Sequence, residues 1–210
     1  MRPVSAPPAA LAIRPAAPAD VGEMGVLLAE AFCGDPVAAY LFPDAAARAS
    51  GLRRFFALQL RHSYLPRGEA WVASVPGNRG LRGAALWSRP DVAPLRVADI
   101  AFLLQLAGIF TTHLPAARRL GRMLALHHPR RPHWYLGTIG VEPAWHRRGV
   151  GSALVGPVLA RCDADNLPAY LECSREENVA FYARHGFACS GEVRLPGGPP
   201  LWLMWRVPRR

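Results

Sequence analysis

Lysine is absent, and all 25 basic residues among the 210 are arginine. A P-loop, which needs a lysine to reach the outer phosphates of a nucleotide, is therefore excluded. The four cysteines, at 33, 162, 173 and 189, form no CxxC pair, so they read as buried thiols of a reducing compartment rather than as a zinc site or a disulfide frame. His127, His128 and His133 have no carboxylate at metal spacing, and no metal is expected. Long apolar runs are also missing. The most apolar window, IAFLLQLAGIF at 100–110, has eleven residues, against the roughly 20 that cross a bilayer, and it reads as a buried helix with no membrane role. The stretch MRPVSAPPAALAIRPAAPAD is broken by proline, which speaks against a signal peptide and for a cytoplasmic protein. The formal net charge is +10, yet no run of five basic residues occurs and the arginines have no aromatics interleaved. Nucleic-acid binding is not expected.

What is present suits a globular α/β chain, with 51% hydrophobic and 19% charged residues. Residues 1–9 form a Pro/Ala-rich tail, and 10–210 are expected to be one domain. A short strand at 11–14 precedes DVGEMGVLLAEAF, whose apolar residues recur at helical spacing and whose Asp20 and Glu23 suggest a capping box. CGDPVAAYLFPD reads as a turn-rich link and ARASGLRRFFALQLRHSY as a second helix. Strands at 70–75 and 81–88, joined by PGNRG, lead to a helical insert at about 97–128. The strand HWYLGTIGV, a helix from about Gly149 to Asp165, the strand AYLEC, a helix over REENVAFYARH and two closing strands complete a mixed sheet of about seven strands flanked by helices.

Two segments carry chemistry. In HRRGVGSALVG a glycine turn opens a helix, where unpaired N–H groups and the macrodipole favour an anion. Gly149 and Gly151 leave room for it, and Arg147 and Arg148 add positive charge; a tight turn shaped by glycine alone is the alternative. A dinucleotide loop does not fit, although Glu172 lies about where a ribose-binding acid would stand. Leu154 occupies the third glycine position, and EPAWHRR separates the strand from the first glycine. In LECSREENVAFYARHGF, Ser174 and Glu177 have capping-box spacing, and Asn178 and Tyr182 form an i,i+4 pair on one helix face. That helix follows the second parallel strand, where ligands of open α/β sheets bind.

Together GTIGVEPAWHRRGVGSALV and the N-x-x-x-Y helix ending in HGF resemble the GCN5-related N-acetyltransferase (GNAT) superfamily. In its phosphate-loop pattern, Gln or Arg, two residues, Gly, one residue, then Gly or Ala, His146 departs while Gly149 and Gly151 fit. Within that superfamily the chain is most similar to the puromycin N-acetyltransferases. The resemblance implies a GNAT fold and acetyl-CoA held between two splayed parallel strands, with no metal. Ile139, Gly140 and Val141 would contact the pantetheine, and amides of Arg147, Arg148, Gly149, Val150, Gly151 and Ser152 the pyrophosphate. Asn178 would bind the pantetheine arm, and Tyr182 would give a proton to the departing sulfur. Glu172 is the candidate group facing the amine, as base, through a water, or as an orienting or merely ion-paired carboxylate. Asp35 is a candidate for the acceptor pocket, or simply a turn residue. The implied acceptor is a small-molecule primary amine, antibiotic-like or aminoacyl-type, in a ternary complex. A protein or peptide acceptor, or a non-catalytic acyl-CoA sensor, is the alternative, and a homodimer is possible.

Overall fold

The computed structural model describes residues 11–90 and 100–209; the expected tail at 1–9 and the first residues of the expected insert lie outside them. Among these residues seven strands form one mixed sheet in the order β1-β2-β3-β4-β5-β7-β6. They are β1 (Ala12–Pro15), β2 (Glu69–Ser74), β3 (Leu81–Ser88), β4 (Trp134–Val141), β5 (Ala169–Cys173), β6 (Ala188–Arg194) and β7 (Pro200–Arg206). Only the β4–β5 pair is parallel. The expected mixed α/β architecture is the observed one.

Each face of the sheet is covered by helices whose apolar spacing matches it. Helix α1 (Val21–Phe32) buries Met24, Leu27 and Leu28, and α3 (Ala45–Gln59) buries Leu52 and Phe56, in one cluster with Val72, Ala84 and Leu86 of the sheet. Between them CGDPVAAYLFPD holds a short helix rather than a plain link. This is α2 (Pro36–Leu41), started by the Asp35 side chain, which accepts from Val37 N and Ala38 N, with Pro36 at the first helical position. A π turn at Leu60–Tyr64 and the single turn α4 (Leu65–Arg67) then deliver the chain to β2.

The insert, α5 (Ile100–Phe110) and α6 (Leu114–His127), joins this layer along one face only, and α5 is not the buried helix expected of that window, since Leu103 and Leu104 are 40% and 68% exposed. Phe110 stacks on Phe42 at 5.1 Å, and Ala116 is buried in the same cluster. On the opposite face α7 (Val150–Ala164) sets Val150, Leu154, Val155, Val158, Leu159 and Cys162 against Trp87, Trp134 and Leu136. Each buried Val or Leu contributes about 1.5–3 kcal/mol.

The expected capping box at Asp20 and Glu23 does not form. Asp20 is held by Arg14 in two hydrogen bonds, at 2.7 and 2.8 Å, and by Ala17 N, while Glu23 accepts from Leu81 N. Partners brought by the sheet win over the local cap.

One irregularity shapes the centre of the sheet. Leu86 faces Thr138 and Trp87 faces Leu136, so Gly137 is an extra residue in β4, a bulge that bends and twists its strand. A Cβ there would come within 2.1 Å of the Tyr64 hydroxyl, so glycine makes room for that ring. Strands β4 and β5 pair at Trp134↔Ala169 and Tyr135↔Tyr170 alone. Past those two pairs they part, and a cleft opens between them.

Candidate active site

The cleft has a volume of about 830 Å³. It is bounded by β4 from Leu136 to Val141, the start of α7, the end of β5, and the helix α8 (Val179–Arg184). Ile139, Gly140, Val141, Arg147, Gly149, Val150, Gly151, Ser152, Glu172, Asn178, Tyr182 and Asp35 all line it. Arg148, nominated with them, does not line it. Its guanidinium lies 5.2 Å over the Trp145 ring, with Arg82 also over that ring at 5.3 Å, an arrangement suited to cation–π attraction.

The loop is built to leave amides open. After β4 a 3-10 turn at Pro143–Trp145 leads to Arg147 at φ 60° and Gly149 at φ 81°, and the latter is the N-cap of α7. The first N–H groups of a helix lack intrahelical partners, and these begin at the cleft. A Cβ at Gly151 would press on the Phe181 ring, at 3.2 Å, so the second glycine keeps the α8 side of the cleft clear. His146, where the resembling family has Gln or Arg, turns back to the strand, with Nε2 3.1 Å from the Val141 carbonyl. Ser152 Oγ lies 3.0 Å from His185 Nε2, joining the loop to the end of α8.

Helix α8 also departs from the expected start. It follows a 3-10 turn at Glu176–Asn178 with no side-chain cap. Ser174 Oγ donates instead to Asp35, and Glu177 accepts from Arg175. Asn178 and Tyr182 nonetheless both reach the cleft, the former exposed and the latter 8% exposed. Burial raises the Tyr182 pKa, as do the nearby Cys173 and Asp35. Cys173 lines the cleft as well, a position not foreseen for it; burial holds its thiol up at about 11, and Sγ donates to the Arg175 carbonyl. Such a thiol is protonated at neutral pH and a poor nucleophile.

The two nominated carboxylates differ in kind. Asp35 is 4% exposed and fully engaged: Oδ1 accepts from Val37 N and Ala38 N, and Oδ2 from Ser174 Oγ at 2.5 Å, with Arg175 Nε at 3.9 Å. As a capping residue its carboxylate has little left for an acceptor. Glu172 Oε1 is buried with no hydrogen-bond partner. Burial raises its pKa, and the hydroxyls of Tyr135 and Tyr170 pull it back down.

Residues 111–187 match the acetyltransferase (GNAT) family. A solved structure from Corynebacterium glutamicum, described as "histone acetyltransferase HPA2 and related acetyltransferase", is 30% identical, with a TM-score of 0.76, over 95% of this chain and 97% of that one. The chain belongs to the acetyltransferase (GNAT) family. Members of the GNAT family generally use acetyl-CoA and bind an acceptor, which accords with a long cleft. Arylalkylamine N-acetyltransferase 2 of Aedes aegypti shares the GNAT fold, with a TM-score of 0.64 over 95% of this chain and 99% of that one at 11% identity. An uncharacterized N-acetyltransferase of Schizosaccharomyces pombe is 33% identical over 78 residues, 36% of this chain and 32% of that protein. The match thus spans about a third of that curated relative's length.

The sequence did not point to Ser174, Arg175 or Phe181 as cleft residues, yet all three line it. For Phe181 a signal existed, since it adjoins the i,i+4 pair; for Ser174 the capping-box spacing pointed elsewhere.

Proposed function

We propose that this chain is an acetyl-CoA-dependent N-acetyltransferase that moves an acetyl group directly onto a primary amine of a small molecule. The observation that carries the reading is one cleft with the glycine loop, Tyr182 and Glu172 along it. Acetyl-CoA supplies an activated thioester. Backbone amides from Arg147 to Ser152 hold its pyrophosphate, Ile139 to Val141 and Asn178 hold the pantetheine, and both glycines keep the approach open.

Tyr182 gives its proton to the departing sulfur. A thiol ionises near ~8.5 and a phenol near ~10; burial pushes Tyr182 further up, so the phenol stays protonated until the thiolate needs it. The attacking nitrogen must be neutral, and Glu172, whose Oε1 has an unfilled hydrogen-bonding capacity, takes its proton. No covalent intermediate is involved, because Cys173 is held as a thiol. The acceptor is an antibiotic-like or aminoacyl-type amine of the kind puromycin N-acetyltransferases take, a class supported by the sequence likeness.

Thermal unfolding with and without acetyl-CoA, beside CoA release from an amine panel that includes puromycin and peptide N-termini, tests this. Acetyl-CoA raises Tm in the native chain and in Tyr182→Phe, but not in Gly149→Glu, whose side chain fills the anion site. Turnover falls in Tyr182→Phe. A full shift in Gly149→Glu, or full turnover in Tyr182→Phe, overturns the assignment, and transfer confined to peptides overturns the acceptor class.

A further inference from the structure

Two walls of the cleft are joined across it by side chains for which the proposed chemistry has no use. On one side α1 lies along β4: a Cβ at Gly140 would come within 2.8 Å of Leu28 and 3.0 Å of Ala31, and from there Ala31, Phe32 and Asp35 line the cleft. On the other side the chain leaves β5 through Ser174 and Arg175. Ser174 Oγ donates to Asp35 Oδ2 at 2.5 Å, the Arg175 guanidinium donates to the Gly34 carbonyl, and its Nε lies 3.9 Å from Asp35 Oδ2. Partners 139 and 141 positions apart in the sequence thus form a strap from the α1–α2 corner to the end of β5.

Both ends of the strap are anchored from behind. Arg48 of α3 donates to the Cys33 carbonyl at 3.1 Å, and Asp35 is the cap of α2. Across the cleft, Cys173 Sγ donates to the Arg175 carbonyl at 2.9 Å, and Glu177 accepts from the Arg175 guanidinium at 2.9 Å. Side chains already held in place lose less freedom when they meet.

The position of the strap relative to Glu172 gives it a consequence. Neighbouring residues of a strand point to opposite faces. Leu171 and Cys173 pack in the apolar cluster built on α7, so Glu172 between them points to the face that α1 covers. Tyr182 and the first residue of α7, Val150, belong to the α7 cluster. On the proposed reading, donor and amine therefore come to the thioester from opposite faces, and the strap crosses the face used by the amine.

We propose that Ser174 and Arg175 are specificity-determining residues: by strapping the α1–α2 corner to the end of β5 they set the opening through which an amine reaches Glu172, so that bulky amines enter only when the strap is undone. The passage of an amine rests on the acetyl-transfer reading above, while the strap itself does not. Apparent affinity for a ligand that needs the open form is reduced by the fraction of molecules that are open. A small amine that passes the closed strap escapes that loss, and the strap thereby sorts acceptors by bulk.

The test compares the native full chain with Ser174→Ala and Arg175→Ala, and with the conservative Ser174→Thr and Arg175→Lys. Three quantities are read: kcat/KM for puromycin relative to that for 2-phenylethylamine, the Tm shift with acetyl-CoA, and deuterium uptake of the segment 33–41. In both alanine variants uptake should quicken and the ratio should rise about tenfold, the size of one hydrogen bond to a charged group. The Tm shift should keep its native size, and the threonine and lysine variants should keep the native ratio. A native ratio in both alanine variants overturns the proposal, and so does native uptake in both. Uptake needs no turnover, so faster uptake in a chain that transfers acetyl to no amine supports the strap and sinks the functional reading instead.

Discussion

Asp35 and Glu172 line the same cleft under opposite conditions. Asp35 starts α2, binds the Ser174 hydroxyl and sits near the Arg175 guanidinium, with both oxygens engaged. Glu172 is sunk beside phenols, with Oε1 unpartnered and no cation paired to it among the described residues. Buried polar groups are usually satisfied, so the satisfied acid marks architecture and the unsatisfied one marks work to be done on something that arrives. Both residues looked alike in the sequence, as acids near a predicted ligand site.

Substitution separates the two. The largest expected effect is on Glu172→Gln, where turnover should fall by about 10²–10⁴, the range for a lost general base, with Tm not lowered. A variant that turns over like the native chain would erase the distinction. Asp35→Ala comes next and acts on the other axis: loss of a helix cap and of a buried hydrogen-bond acceptor should cost about 1–3 kcal/mol in denaturant unfolding. Native stability in that variant would mean that the engaged carboxylate contributes nothing to the fold.

The smallest effect is in pH dependence. The Glu172 pKa is raised in the folded state above its ordinary value of 4.5, so the native chain loses stability as pH climbs from there through the raised value. Glutamine carries no such cost. The Tm of Glu172→Gln should therefore equal that of the native chain near pH 4 and exceed it by a few degrees near pH 8. A difference that does not vary with pH would show that burial of the charge is not what sets Glu172 apart.

Much of this is legible in the sequence. The helical spacing in α1, α3 and α7, the αL glycine that starts α7, and the Asn178/Tyr182 face all follow from local pattern. Four side chains show where local pattern fails. Asp20, Glu23, Ser174 and Glu177 stand at capping-box spacing, yet they are taken by Arg14, Leu81 N, Asp35 and Arg175. Such partners depend on packing that spacing does not encode. The same holds for Arg148, which reads as an anion ligand beside Arg147 until Trp145 is found beneath it. Tyr64 and Tyr135 are also 71 positions apart in the sequence, and it is packing that brings both against Gly137. A lone tyrosine in a strand is ordinary core material.

The two-pair contact between β4 and β5 carries a last consequence. It divides the sheet into a plate of four strands and a plate of three, joined at a short seam with α7 spanning from one to the other. Beyond the seam the facing strand edges present N–H and C=O groups without a neighbouring strand, and such groups favour an occupant with amides of its own. A pantetheine chain has two. On the proposed reading, a donor seated there would stand in for a missing strand, and its binding free energy would add to the cohesion of the two plates. With the cleft empty, strand pairing joins the two plates at two residue pairs alone.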